Sequence, residues 1–194
     1  MRERELTVSF LPAVIAGDRA AGDKLYDLWG PVVLRWCARI GGPRVDEEDA
    51  AHDVFEHVFA RLHTLRDPRA FPAWLFAATR RVVIDHRRRA WLRRWVPGLL
   101  PDVADPQAEH RVERDDLART VRDVVDALPA DLREVLVLCE MEERNATEVA
   151  ELVGVPLGTV KSRLRRARER FEAEARRRGL APDVEPAGAD EECG

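Results

Sequence analysis

Apolar residues recur along most of this chain at a spacing near 3.6, and no stretch sustains the two-residue alternation of a half-buried strand. Between Val45 and Leu62, the positions Ala51, Val54, Phe55, Val58 and Leu62 form one stripe. Asp49, His52, Asp53 and Glu56 are left on the opposite side. Phe71, Trp74, Leu75, Ala78 and Val82 line a second helix, and Val160, Leu164, Ala167 and Phe171 a third. The pattern predicts helices at about 5–16, 22–40, 47–64, 69–90, 112–127, 131–142, 146–153 and 157–177. Gly41-Gly42-Pro43, Asp67-Pro68, Leu128-Pro129 and Gly154-Val155-Pro156 punctuate them. The fold class expected is all-α.

The period fades in WVPGLLPDVADPQ (95–107), where three Pro and one Gly follow an Arg-rich run. Such a composition reads as a flexible linker. The expectation is therefore two small helical domains: a four-helix unit at 1–90, a linker at 91–111, and a second unit at 112–178. Residues 179–194, rich in Pro, Ala and acids, are expected to be a disordered acidic tail.

Charge changes this picture by its segregation, not its total. The chain of 194 residues carries 32 basic and 36 acidic side chains, net −4, which argues against indiscriminate coating of nucleic acid. Residues 46–56 hold six acids and no Lys or Arg, 80–94 hold seven Arg against one Asp, and 161–178 hold nine cations against three Glu. Opposite blocks suggest one basic and one polyanionic partner. Cys37, Cys139 and Cys193 form no CxxC pair, so no disulfide framework, zinc site or other cofactor is expected. No stretch is apolar enough to cross a membrane, and a reduced, cytoplasmic setting is expected.

The segment GTVKSRLRRARERF (158–171) holds six cations, which by themselves could be a solvated face. Arg165–Glu169 and Arg168–Glu172 are spaced to pair along such a face. Opposite the apolar stripe, however, lie Ser162, Arg165 and Arg166, flanked by Thr159 and Lys161, donors suited to base edges and phosphates. The preceding NATEVAELVGVP reads as a short helix capped by Asn145, with Glu148 at the capping-box position. Ala150 is small where a second helix crosses, Gly154 permits a sharp turn, and Pro156 opens the next helix. Helix, tight turn and cationic helix make a helix-turn-helix. At this point ALPADLREVLVL…ATEVAELVGVPLGTVKSRLRRAR closely resembles the fourth domain of bacterial sigma factors, especially the extracytoplasmic-function group. Leu128-Pro129, Arg133-Glu134-Val135 and Gly158-Thr159-Val160-Lys161-Ser162-Arg163 carry the likeness. The resemblance implies that Thr159, Lys161, Ser162, Arg165 and Arg166 meet the −35 promoter element, and that this domain docks on the flap of the polymerase β subunit. EMEERN (140–145) departs from the family pattern and makes that surface more acidic.

GDRAAGDKLYDLWGPVVLRW, DEEDAAHDVF and FPAWLFAATRRVVIDHRRR are similar, in order and spacing, to the second domain of the same family. This likeness implies that a helix bearing Asp49, His52, Asp53, Phe55 and Glu56 binds the clamp coiled coil of polymerase β′. It implies further that the loop 63–70 and the next helix open and hold the −10 element, through Thr64, Arg66, Arg69, Trp74, Arg80, Arg81, His86 and Arg88. Cations beside aromatics suit single-stranded DNA, although Phe71 and Trp74 could equally serve the core, and Arg81–Asp85–Arg89 could pair along the surface. His52-Asp53 stands where the family has Gln-Glu, and Arg81 where it has Asn.

The function expected is that of an alternative sigma factor without enzymatic activity. It binds core RNA polymerase and promoter DNA, inserts into no membrane, and is held by an anti-sigma factor, a partner implied by the family alone. Two elements about 25 base pairs apart are separated by roughly 85 Å, and a linker at 91–111 reaches ~70 Å at most. Two domains and their connection therefore bridge both. A stand-alone helix-turn-helix regulator that binds DNA without polymerase is the alternative. A His-Asp metal phosphohydrolase is a weaker one, since His52 and His57 lie about 140° apart on a helix and no phosphate loop is present.

Overall fold

A computed structural model describes residues 2–95 and 116–180, and among these all regular secondary structure is helical. The N-terminal unit contains α1 (Arg2–Ile15), α2 (Arg19–Gly41), α3 (Glu47–Arg61) and α4 (Phe71–Trp95), with two 3-10 turns, Leu62–Thr64 and Pro68–Ala70, between the last two. The C-terminal unit contains α5 (Asp116–Ala127), α6 (Ala130–Leu136), a π turn (Val137–Met141), α7 (Ala146–Val153) and α8 (Leu157–Arg177). Eight helices are expected and eight α-helices form among the described residues, with the expected 47–64 and 131–142 each ending in a differently wound turn.

Local chemistry sets most boundaries. Asp18 accepts from the amides of Ala20 and Ala21, and Asp46 from those of Glu48 and Asp49, so each caps a helix start. Asp67 does the same for the turn before α4, through the Arg69 amide at 2.9 Å. The largest difference is at the end of α4, which runs on to Trp95 and takes in the first five residues of the segment expected to link the units. No proline stands between Pro72 in the first turn and Pro97, so nothing stops the helix sooner. The rest of that segment and the acidic tail beyond Leu180 lie outside the described residues.

The N-terminal core is built on aromatics. Trp29 packs edge-on against Phe71 at 5.5 Å and donates its indole N–H to Thr7 Oγ1 at 2.9 Å. Trp36 meets Phe76 at 5.1 Å and 90°. Leu11, Leu25, Val33, Val54, Val58 and Leu75 fill the remainder. The α3 stripe, Ala51 to Leu62, is buried throughout, as its spacing predicts. In the C-terminal unit, Val125, Leu128, Leu132, Val135, Leu138, Val149, Leu152, Val160 and Ala167 close a smaller core.

The two units are packed together. Their buried residues form one continuous apolar cluster, and polar clips cross the seam. Arg133 of α6 donates to the carbonyl of Ile40 at 3.1 Å, while Arg87 of α4 donates to Gly41 O and pairs with Asp126. The C-terminal end of α2 and that of α5 thus converge on two arginines, where the helix dipoles favour positive charge.

Candidate functional site

The helix-turn-helix forms as its local sequence dictates. The Asn145 side chain accepts from the amides of Thr147 and Glu148, and Glu148 reaches back to the Asn145 amide at 3.1 Å. Gly154 closes α7 with φ +75°, left-handed backbone that only glycine adopts at no steric cost. The amides of Gly154 and Val155 both return to Ala150 O. Pro156, with φ −58°, then starts α8.

On α8 the apolar stripe faces inward: Val160 and Ala167 are buried, Leu164 and Phe171 partly so. Lys161, Arg165 and Arg166 are exposed on the other side, with Thr159 and Ser162 half-buried at its margin. The Ser162 hydroxyl donates to Thr159 O at 3.0 Å, which leaves its oxygen as an acceptor only. Arg165 pairs with Glu169 at 2.7 Å, and Arg166 Nε donates to Ser162 O at 3.2 Å. Both side chains are held by weak, solvent-screened partners that a phosphate can replace. Arg168 does not pair with Glu172. It bridges instead to Glu140 at 2.6 Å, and Arg163 to Asp131 at 3.3 Å, which lash α8 to the rest of its unit.

On α3, Asp49, His52 and Glu56 are exposed. Phe55 is not: it is 4% exposed, with its ring 4.7 Å from Tyr26 and 6.1 Å from Phe59. Its place in the expected polymerase-binding set is therefore corrected, because the stripe that fixes the helix in the core includes it. Asp53 is half-buried against His86 at 2.8 Å, with Arg89 at 3.9 Å. Arg44, Asp46, Asp49, His52, Asp53, His86 and Arg89 line a polar cleft of about 300 Å³.

The arginines of α4 are divided among three faces, as residues seven apart lie about 20° from each other on a helix. Arg81 and Arg88 point to solvent. His86 and Arg89 turn to Asp53, so His86, expected from the sequence among the −10 contacts, is engaged by a carboxylate instead. Arg80 and Arg87 turn to the C-terminal unit, Arg80 onto Glu134 at 2.6 Å. The guanidinium of Arg80, expected among the −10 contacts, is thus engaged by a buried carboxylate while its side chain stays partly exposed. Before α4, Thr64 donates to Arg61 O at 2.7 Å, while Arg66 and Arg69 are exposed. Phe71 is wholly buried and Trp74 leans on it at 6.2 Å and 30°, so core packing accounts for both. No Arg81–Asp85–Arg89 ladder forms, because Arg89 is drawn to Asp53.

Sequence reasoning missed Arg133 and Glu134 as structural centres. Arg133 is 4% exposed and donates to Val125 O, Asp126 O, Leu128 O and Ile40 O. Burial and the neighbouring Arg87 push its pKa down to about 10, against Asp126 and Glu134, so it stays charged at neutral pH. Burial raises the pKa of Glu134, while Arg80 opposes that rise. The signal was present: two adjacent charges inside the apolar run LREVLVL demand partners. Among the described residues no three His, Cys, Asp or Glu side chains gather to hold a metal, and no helix is long and apolar enough to cross a membrane.

Comparison with known proteins matches residues 25–93 to sigma-70 region 2 and residues 118–171 to sigma-70 region 4. ECF RNA polymerase sigma factor SigE of Mycolicibacterium smegmatis is 31% identical over 80% of this chain, which spans 63% of that protein's length. ECF RNA polymerase sigma factor SigD of Mycobacterium tuberculosis is 31% identical over 82% of this chain and 79% of its own. The solved structure of CnrH in complex with the cytosolic domain of CnrY shares the fold, at TM-score 0.59 and 23% identity, over 86% of this chain and 95% of that one.

Proposed function

The chain belongs to the extracytoplasmic-function group of sigma-70 RNA polymerase sigma factors, and on that premise we propose that it recruits core polymerase to promoters and starts transcription there. The observation that carries this reading is the exposed cationic edge of α8. Lys161, Arg165 and Arg166 stand opposite a buried stripe, on the second helix of a well-capped helix-turn-helix. That edge supplies −35 recognition, with Thr159 and Ser162 as shorter contacts at its margin. Arg66, Arg69, Arg81 and Arg88 are exposed beside and along α4 and supply the −10 contacts. Asp49, His52 and Glu56 offer an acidic, exposed face on α3 to a basic surface of core. The working division is an N-terminal unit for core binding and −10 opening, and a C-terminal unit for −35 reading.

No covalent chemistry is assigned to the chain itself. CnrH is solved with the cytosolic domain of CnrY, and an anti-sigma partner that covers the same faces belongs to this reading too. The stand-alone regulator has no support, because the family match extends through the N-terminal unit. Run-off transcription with purified core polymerase tests the proposal. The expected result is co-elution with core and a discrete transcript from the promoter of its own gene. Failure to bind core at all would overturn it.

A further inference from the structure

Gly158 stands inside α8, where neither reason that usually reserves a position for glycine applies. Its φ is not positive, unlike those of Gly17, Gly42, Gly154 and Gly179. No atom lies within 4 Å of the place its Cβ would take. The other described glycines with ordinary backbone, Gly22, Gly30 and Gly41, each have a side chain within that distance. A glycine weakens a helix relative to alanine, and nothing in the folded chain compensates at this position. Its direction on the helix is specific. Gly158 lies nine residues from the buried Ala167, about 180° round α8. Arg165 is about 20° from it on one side and Ser162 about 40° on the other. Bare backbone is therefore presented at the middle of the exposed face, with Lys161 beyond Arg165 and Arg166 beyond Ser162.

An α-helix with its side chains is roughly 10–12 Å across, and the major groove of DNA is about 12 Å wide. There is little slack, so the depth at which α8 sits depends on the side chains at the middle of its exposed face. The long arms of Lys161, Arg165 and Arg166 reach phosphates and base edges from several depths. Ser162 and Thr159 are short, and they reach base edges only when the helix backbone comes close. We propose that Gly158 is the point of closest approach between α8 and the base edges of the −35 element. The missing Cβ lets the groove floor come about 1.5 Å nearer the helix axis, which brings Ser162 and Thr159 within reach of the bases. The inference rests on the −35 reading of α8 for the identity of the duplex. It adds a specificity-determining position that carries no side chain.

Gly158→Ala and Gly158→Leu test this in the full chain, free and reconstituted with core polymerase. Both replacements are better helix formers than glycine and enter open space in the free protein. The Tm of the free chain is therefore expected to hold level or to rise by up to ~4 °C. Affinity of the holoenzyme for a duplex carrying the promoter of its own gene is expected to fall about tenfold for Ala and further for Leu, the scale on which overfilled contacts fail. The control is the same duplex with its −35 element scrambled, which both variants should bind as the wild type does. A mutation that leaves the fold intact while erasing discrimination between the two duplexes is the expected signature. A Tm that falls in step with affinity would make Gly158 a structural residue and overturn the proposal, as would an unchanged ratio between the duplexes in both variants. A wild-type holoenzyme that binds the two duplexes alike would defeat the −35 assignment of α8, and this inference with it.

Discussion

Replacing Arg133 by Ala removes the group on which two helix ends converge. Its guanidinium donates to Val125 O at 3.1 Å, Asp126 O at 2.6 Å and Leu128 O at 2.7 Å, all at the end of α5, and to Ile40 O at 3.1 Å near the end of α2. Each such bond is worth about 1 kcal/mol net, with more lost when a buried acceptor is stranded. Some of the four carbonyls regain water when the side chain is gone, so the expected loss is roughly 3–5 kcal/mol. For a body of this size that corresponds to a fall in Tm of roughly 6–20 °C. Arg133→Lys keeps the charge, but one ammonium cannot span four acceptors, and about half the loss is expected. All five tryptophans lie in the N-terminal unit, so urea titrations can separate the two units. Far-UV circular dichroism follows both, whereas tryptophan fluorescence follows α1 to α4. Arg133→Ala should shift the dichroism midpoint more than the fluorescence midpoint. A change below about 1 kcal/mol by dichroism would refute the assignment of Arg133 as the joint clamp.

Cys37 is wholly buried, and burial together with Glu47 pushes its thiol up to about 12 from 9.0. It should resist alkylation at pH 8 until the protein is denatured, as read by peptide mass. Because the folded pKa is raised, its contribution to stability is complete below pH 9 and declines as pH rises from 9 towards 12, a decline that Cys37→Ala should lack. Asn145→Ala should cost about 1 kcal/mol through loss of the capping box. Gly154→Ala should cost a similar ~1 kcal/mol from backbone strain alone, since nothing lies within 4 Å of its would-be Cβ. Thermal melts check both, and Gly154→Asn should recover most of the second loss. Arg165→Ala and Arg166→Ala should each weaken promoter binding by the holoenzyme and lower its salt slope by about 1 if the contact is to phosphate. An unchanged slope and affinity in both variants would remove α8 from the interface.

The α3 stripe, the Asn145 cap, the Gly154 turn and the inward face of α8 were all legible in the sequence. Each is decided within one helix by spacing, by a side chain two or three residues from the amide it serves, or by the one residue that tolerates φ +75°. The exposed cations of α8 were legible for the same reason, because burying one stripe fixes what the opposite side presents. The errors fell where a side chain's partner is remote in the chain. Phe55 is the exception: the likeness to the family places it in the polymerase-binding set, although its own spacing puts it in the core.

The chain by itself thus determined the helices, their caps, the helix-turn-helix and the family, since these depend on neighbours within about one or two turns or on residue order. Only the tertiary structure decided the division of the α4 arginines. Arg80 and Arg87 are separated from Glu134 and Asp126 by 54 and 39 residues, and no periodicity relates charges across such a gap. Their pairing exists because the two cores meet, which brings buried carboxylates against a cationic face that must neutralise them.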